Sequence, residues 1–311
     1  MTHSISVVIA SYNGIKYIPE QLDSIKEQTL PPDEVIIADD CSSDGTYEFC
    51  VDYIARHNLK GWRVYRNEHN TGLQKNFRAV LAEAGGEYIF TCDQDDIWMP
   101  DKISAMVSVL RKRPEISLLA SNYIPLVDGK PAKVYLNYIE RDDGSVIPFR
   151  LQNYGLGNLR PGCTFCFRRR LLDKFKVMDV DSLLHDSMLW KYAITSDSLY
   201  LLNRRLIFWR RHENAATGVE FSSYPDVKTR IQGTYAAEEV YGKFVAASEG
   251  LGIPAANVKY MEQAMDFQRR RREMLAKRSL LRTAIFVALN MKYYPTLRNA
   301  LSDIYAMIFL K

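Results

Sequence analysis

Residues 86–100 read GEYIFTCDQDDIWMP. The first half, Glu87–Cys92, is rich in aromatic and β-branched residues and predicts a buried strand. It runs straight into Asp93, Gln94, Asp95 and Asp96, and Pro100 opens a helix with Ile103, Met106, Val107 and Leu110 on one face. Acids grouped at a strand end repel and raise one another's pKa. A hard divalent cation relieves this: Asp-x-Asp offers carboxylate oxygens to Mg2+ or Mn2+ and leaves coordination positions for phosphate. The bare triplet also suits a solvated surface turn.

Working outward, the same grammar repeats. Ile5–Ala10 and Glu34–Ala38 are short runs apolar on both faces, Trp62–Tyr65 reads as a further strand, and Ile116–Ala120 makes a fifth. Between them lie helix-period segments carrying Ile18, Leu22 and Ile25, then Phe49, Cys50, Tyr53 and Ile54, then Leu73, Phe77, Val80 and Leu81. Strand–helix alternation predicts a mostly parallel sheet flanked by helices, with ligands beyond the carboxyl ends of its strands. The signal weakens across residues 124–160, which read as loops or a hairpin. Apolar patches return at Cys163–Phe167 and Leu206–Trp209. From about residue 226 the chain reads as helical, interrupted at Gly250–Pro254 and at Pro295.

Composition narrows the function classes. With 311 residues, 47% hydrophobic and 25% charged, the chain is neither disordered nor a disulfide-stapled miniprotein. A net charge of +4 is too mild for a protein that coats nucleic acid. Residues 269–311 hold ten Lys and Arg against Glu273 and Asp303, so residues 1–268 are net acidic. Five scattered cysteines, no basic leader and no apolar run of membrane-spanning length imply a cytoplasmic protein with reduced thiols. Cys163-x-x-Cys166 lacks the second ligand pair that zinc requires and reads as part of a small-residue strand.

The ordered motifs Ser11–Asn13, Asp39–Thr46, Asn70–Gly72 and Gly86–Pro100, with Asp186 following His185 later, resemble the family 2 glycosyltransferases. The likeness covers roughly residues 4–215, and the wording CDQDDIW is similar to the bacterial rhamnosyltransferase-like branch. It implies an α/β GT-A fold (Rossmann-like) over residues 1–215, binding the nucleotide sugar and carrying catalysis, followed by a helical region over 216–311. It implies further that Ala10, Ser11, Tyr12, Asn13 and Asp40 line the nucleobase and ribose pocket, with Tyr12 stacking on the base and Asp40 accepting from uracil or thymine N3–H. Asp93 and Gln94 would face the donor, and Asn76, near Lys75 and Arg78, would lie on a helix beside it. Asp95 would bind Mn2+ or Mg2+, His212 would complete the metal shell, and Asp186 would be the catalytic base. One base opposite a diphosphate leaving group gives a single in-line displacement with inversion, whereas hydrolases flank the bond with two carboxyl groups. The implied partners are a dTDP- or UDP-sugar donor and a glycan or lipid-linked glycan acceptor.

Other readings of the same residues stand beside these. Asp39 and Asp40 with Ser42 and Ser43 suit a cap for the next helix, Asp186 suits an N-cap, and His212 suits a solvated strand end. A nucleotidyltransferase would place a Gly-rich basic phosphate loop where SYNGIKY stands, and a non-catalytic scaffold would have no use for Asp186. Gln268–Arg272 is similar to the Gln-x-x-Arg-Trp signature of processive synthases but lacks the Trp. The basic end either lies on an anionic inner membrane leaflet or packs on the core or on a second subunit.

Overall fold

The computed structural model describes residues 4–127, 129–131, 141–180, 183–212, 226–294 and 297–309. The expected break at Pro295 and the expected domain junction at 215–216 lie outside the described residues. The first half follows the expected alternation: β1 (Ile5–Ser11), α1 (Ile18–Lys26), β2 (Glu34–Asp39), α2 (Thr46–Arg56), β3 (Trp62–Arg66) and α3 (Leu73–Glu83). Next come β4 (Tyr88–Cys92), β5 (Ile97–Trp98), α4 (Lys102–Lys112), β6 (Leu118–Val127), β7 (Lys130–Pro131) and β8 (Val146–Pro148). After these follow α5 (Leu151–Tyr154), β9 (Phe165–Arg168), α6 (Lys174–Val177), α7 (His185–Thr195) and β10 (Leu199–Arg211). Helices complete the chain: α8 (Val227–Ala246), α9 (Ser248–Leu251), α10 (Ala255–Ala276), α11 (Leu280–Leu289) and α12 (Leu297–Phe309).

The strands form one sheet in the order β3-β2-β1-β4-β9-β6-β10-β5, with β7 on β6 and β8 on β10. Strands β3, β2, β1 and β4 run parallel, and β9 lies antiparallel between β4 and β6. This is the expected α/β architecture, a mostly parallel sheet with an antiparallel insertion, flanked by helices. Because side chains alternate along a strand, Ile5, Val7 and Ile9 of β1 share one core with Ile18, Leu22 and Ile25 of α1 and with Ile103 and Met106 of α4. Helix α3 packs on β1 and β2, and its buried Phe77, Val80 and Leu81 lie outside that core, which assigns it to the opposite face.

The largest departure from the sequence reading is β10. Only Leu206–Trp209 had read as an apolar patch, yet the strand begins at Leu199 and pairs with β6, β8 and β5. Asn203, Arg204 and Arg205 interrupt the apolar pattern just where the pairing with β6 shifts register between Leu202 and Arg205. Similarly β6 runs on to Val127, because β10 supplies ladder partners for a segment whose Pro125 and polar neighbours conceal it.

The chain divides into two compact units, residues 1–148, 158–193 and 198–218 in the first, and 149–157, 194–197 and 219–311 in the second. The second is organised around a buried acid. Asp303 accepts hydrogen bonds from Arg230 Nη1 at 3.0 Å, from Arg271 Nε and Nη2 at 2.7 Å each, and from the Tyr294 hydroxyl at 2.7 Å. The remaining arginines of the 269–272 run are also paired: Arg269 and Arg272 with Glu238, and Arg270 with Asp266 one turn away. Asp303→Ala leaves Arg230 buried without its counter-charge, so the helical unit should lose about 3 kcal/mol. Urea denaturation followed by helical circular dichroism reads this loss. An unchanged midpoint would mean that the buried ion cluster contributes nothing net.

Candidate active site

A cavity of about 670 Å³ opens beyond the carboxyl ends of β1, β2 and β4. Of the residues singled out in the sequence, Ala10, Ser11, Tyr12, Asp40, Asn76, Asp93, Gln94, Asp95 and Asp186 line it. Asn13 and His212 do not. Asn13 instead ties its own loop to the next, its Oδ1 accepting the Ser43 N–H at 2.9 Å and its N–H donating to Ser42 Oγ at 2.9 Å. His212 stands behind Asp95, with Nε2 2.7 Å from Asp95 Oδ2 and its ring 4.6 Å from that of Tyr17.

Asp39 and Asp40 divide the work at the end of β2. Asp39 is buried and accepts from the backbone N–H of Ser42 at 2.9 Å, holding the loop that leads to α2. Asp40 reaches the other way. It accepts from Asn67 Nδ2, from the N–H and hydroxyl of Thr71, and from the Gly72 N–H, all within 2.8–2.9 Å. Burial alone would raise its pKa, but these bonds outweigh burial and hold Asp40 below the usual carboxylate range. Neither acid caps α2, whose N-cap is Gly45. Asp40 is thus an ionised acceptor fixed at the cavity wall.

Gln94 and Asn76 are struts. Gln94 clasps Tyr12, accepting its N–H at 2.9 Å and donating to its carbonyl at 3.1 Å, while a Cβ on Gly14 would come within 2.2 Å of Gln94 Oε1. Tyr12, so clasped, is 48% exposed at the cavity edge. Asn76 Nδ2 donates to the Ala38 carbonyl at 2.8 Å and its Oδ1 accepts from Asn67 at 3.0 Å. Arg78 pairs with Asp179 and donates to the Leu183 carbonyl, away from the acids.

The turn after β4 concentrates charge. Asp96 is buried, its Oδ1 accepting the Arg210 N–H at 2.9 Å. Burial, then the neighbouring Asp95 and Asp93, push its pKa well above the carboxylate range. Asp93 is raised likewise, by burial, then by Asp95 and Asp186. The Asp93 and Asp96 carboxylates and Cys163 Sγ all lie within 4.8 Å of one another. Burial and the same acids raise the thiol, which therefore stays protonated and is a poor ligand. From below, the buried Lys102 donates to the Cys163 carbonyl at 2.6 Å and lies 4.0 Å over the Trp98 ring. Crowded in this way, Asp93 and Asp96 are held toward their neutral forms, and a cation beside them would favour the charged ones. Carboxylate oxygens at the cavity, with an imidazole beside them, suit a hard divalent cation that keeps some of its water. Asp95 and His212, the expected metal ligands, pair with each other and are not part of the Asp93–Asp96–Cys163 cluster, while Asp96 braces the loop.

Across the cavity, Asp186 lies in the first turn of α7, and its Oδ1 accepts the Ser187 N–H at 2.6 Å. It is not the N-cap, because the helix already begins at His185. Gly162 makes this position feasible, since a Cβ there would fall 2.8 Å from Asp186 Cβ. Burial raises the Asp186 pKa, opposed by the Ser187 N–H and by Lys191. Lys191 itself is lowered to about 8 by burial and donates to Ser187 Oγ at 2.6 Å.

Several lining residues escaped the sequence reading. Arg160 is 2% exposed, and Nε and Nη2 both donate to Asn122 Oδ1, at 3.1 and 2.7 Å. Arg210 anchors the acidic turn through its Nε bond to the Asp95 carbonyl at 2.7 Å. Tyr123 and Trp209 meet edge to face at 4.9 Å to form an aromatic wall. Only the positive charge and aromatic character of these residues were visible beforehand; the contacts that aim them come from strands far away in sequence.

The family model for Glycosyl transferase family 2 matches residues 6–176, and the chain belongs to that family. An uncharacterized Mycobacterium tuberculosis protein is 32% identical over 226 residues, covering 71% of this chain, and the chain spans 62% of that relative's length. The dTDP-rhamnosyl transferase RfbG of Shigella flexneri is 29% identical over 234 residues, covering 69% of this chain and 75% of RfbG. Among solved structures, S. aureus TarS residues 1–349 in complex with UDP-GlcNAc superposes with a TM-score of 0.65 at 16% identity, covering 98% of this chain and 90% of that one. That likeness concerns the fold.

Proposed function

We propose that the protein is an inverting glycosyltransferase moving one sugar from a nucleotide-diphosphate sugar, dTDP-rhamnose or a UDP-hexose, to a saccharide hydroxyl. Its setting would be bacterial surface-polysaccharide assembly, with a glycan or lipid-linked glycan as acceptor. The observation that carries this reading is that Asp40, Asp93, Asp95 and Asp186 line one cavity, in a chain of this family. A relative named as a dTDP-rhamnosyl transferase supports a pyrimidine nucleotide donor.

In this reading Tyr12 stacks on the base and Asp40 accepts its N3–H. Arg160 offers fixed positive charge to the diphosphate. A divalent cation held by Asp93 and Asp95, with His212 beside them, would supply Lewis-acid stabilisation of the leaving diphosphate. Asp186 takes the acceptor hydroxyl proton as the new O–C1 bond forms and the C1–O bond to phosphate breaks. The nucleoside diphosphate departs with that bonding pair, and Asp186 returns its proton to solvent.

A thermal-shift panel of dTDP-, UDP- and GDP-sugars with Mn2+ tests the reading. Ligand at a hundredfold excess over its dissociation constant stabilises by about 2.7 kcal/mol, so the pyrimidine donors should give clear upward shifts. A larger shift with GDP-sugars would overturn the base assignment, and no shift with any nucleotide sugar would overturn the reading itself.

A further inference from the structure

We propose that α11 and α12 dock the protein on an anionic lipid surface, lying along it. These helices are apolar on both sides: Phe286, Ile304 and Met307 pack inward, yet a second set of large apolar side chains faces out. Helix α12 buries Ala300, Ser302, Asp303 and Ala306, all small or polar, and exposes Leu297, Leu301 and Ile308. Helix α11 buries Thr283 and Val287 while Leu281, Ile285 and Leu289, four residues apart and hence on one stripe, stand 72%, 52% and 77% exposed. Ten of the sixteen exposed large hydrophobic side chains among the described residues fall between 280 and 309. Isolated exposed leucines need no explanation, but a concentration of this kind marks an interaction surface.

Charge identifies the occupant. Among the described residues from 274 to 309, every exposed charged side chain is basic: Lys277, Arg278, Arg282, Lys292 and Arg298. The one acid of that stretch, Asp303, is buried under Arg230 and Arg271. A second copy meeting this face symmetrically would set basic residues against basic residues. An anionic bilayer complements both features, its headgroups facing the cations and its acyl boundary the stripes. At 10 and 13 residues the helices are too short to span, and no helix among the described residues is long and apolar enough to cross a membrane. The arginines at 269–272 play no part, since their partners are Glu238, Asp266 and Asp303.

The test is sedimentation of the full chain with vesicles of phosphatidylglycerol and phosphatidylcholine in equal parts, against pure phosphatidylcholine. Wild type should bind the anionic vesicles about tenfold better or more, and high salt should release it. The triple variant Leu281→Ser, Ile285→Ser, Leu301→Ser should lose binding, as should Lys277→Glu, Arg282→Glu, Lys292→Glu. All six positions are exposed, so helical circular dichroism should stay unchanged. Equal binding to both vesicles, full binding by either variant, or a concentration-dependent dimer that the serine variant disrupts without any vesicle binding would each overturn the proposal.

Discussion

Asp186→Asn is expected to cut sugar transfer on the order of 10²–10⁴-fold, the usual worth of a general base, while leaving donor affinity nearly unchanged. Asparagine keeps the shape of the side chain and the acceptor for the Ser187 N–H, so the first turn of α7 has no reason to move. What it removes is the capacity to take a proton. Turnover and calorimetric dissociation constants for UDP- and dTDP-sugars separate the two effects; near-normal turnover would show that the base lies elsewhere. The pH profile adds a second reading. Burial raises the Asp186 pKa above its ordinary 3.8, so the acidic limb of kcat/KM should lie above the usual carboxylate range, activity appearing as the group deprotonates. Removing the opposing charge with Lys191→Met should move that limb further up. The linked stability runs the other way. A carboxyl that holds its proton longer when folded contributes fully below the unfolded pKa, and its contribution is lost as pH rises through the folded value. The asparagine variant should therefore melt higher than wild type at neutral pH, a gain in stability that accompanies the loss of function.

The residues that reveal themselves in sequence are those whose neighbours in the chain determine their place. Strands β1, β2 and β4 are continuous apolar runs, and Asp40, Asp93 and Asp95 follow them directly, so their position at the carboxyl edge is legible from the order of residues alone. Arg160 is different: its guanidinium is aimed by Asn122, 38 residues earlier, and nothing near it signals that bond. Arg269, Arg271 and Arg272 find their partners, Glu238 and Asp303, about thirty residues away, so their pairing is hidden in the sequence. Asp303 could not be singled out either, since burial is what turns an ordinary acid into the centre of a cluster. The same holds for α11 and α12, whose composition is that of core helices; only packing shows that Leu281, Ile285, Leu289, Leu297 and Leu301 face outward while Phe286, Ile304 and Met307 pack inward.

Asp95→Ala should abolish the effect of Mn2+ on donor binding, with a loss of several kcal/mol in transition-state stabilisation if the cation serves as the Lewis acid. Asp95 is the acid of this turn that both lines the cavity and meets His212. Its carboxylate also stands among the causes, after burial, of the raised pKa of Asp93 and Asp96. Removing it has two separable consequences. Without metal, the variant should be more stable than wild type at neutral pH, because both remaining acids are relieved of a like charge. With metal, any upward thermal shift that Mn2+ gives wild type should disappear, because the Asp95 carboxylate that meets His212 is gone. A variant that merely unfolds would fail the first measurement, and so the two together distinguish a lost ligand from a lost fold. Wild-type binding of UDP and dTDP that is indifferent to EDTA, or an alanine variant that keeps its full Mn2+ shift, would remove the cation from Asp95.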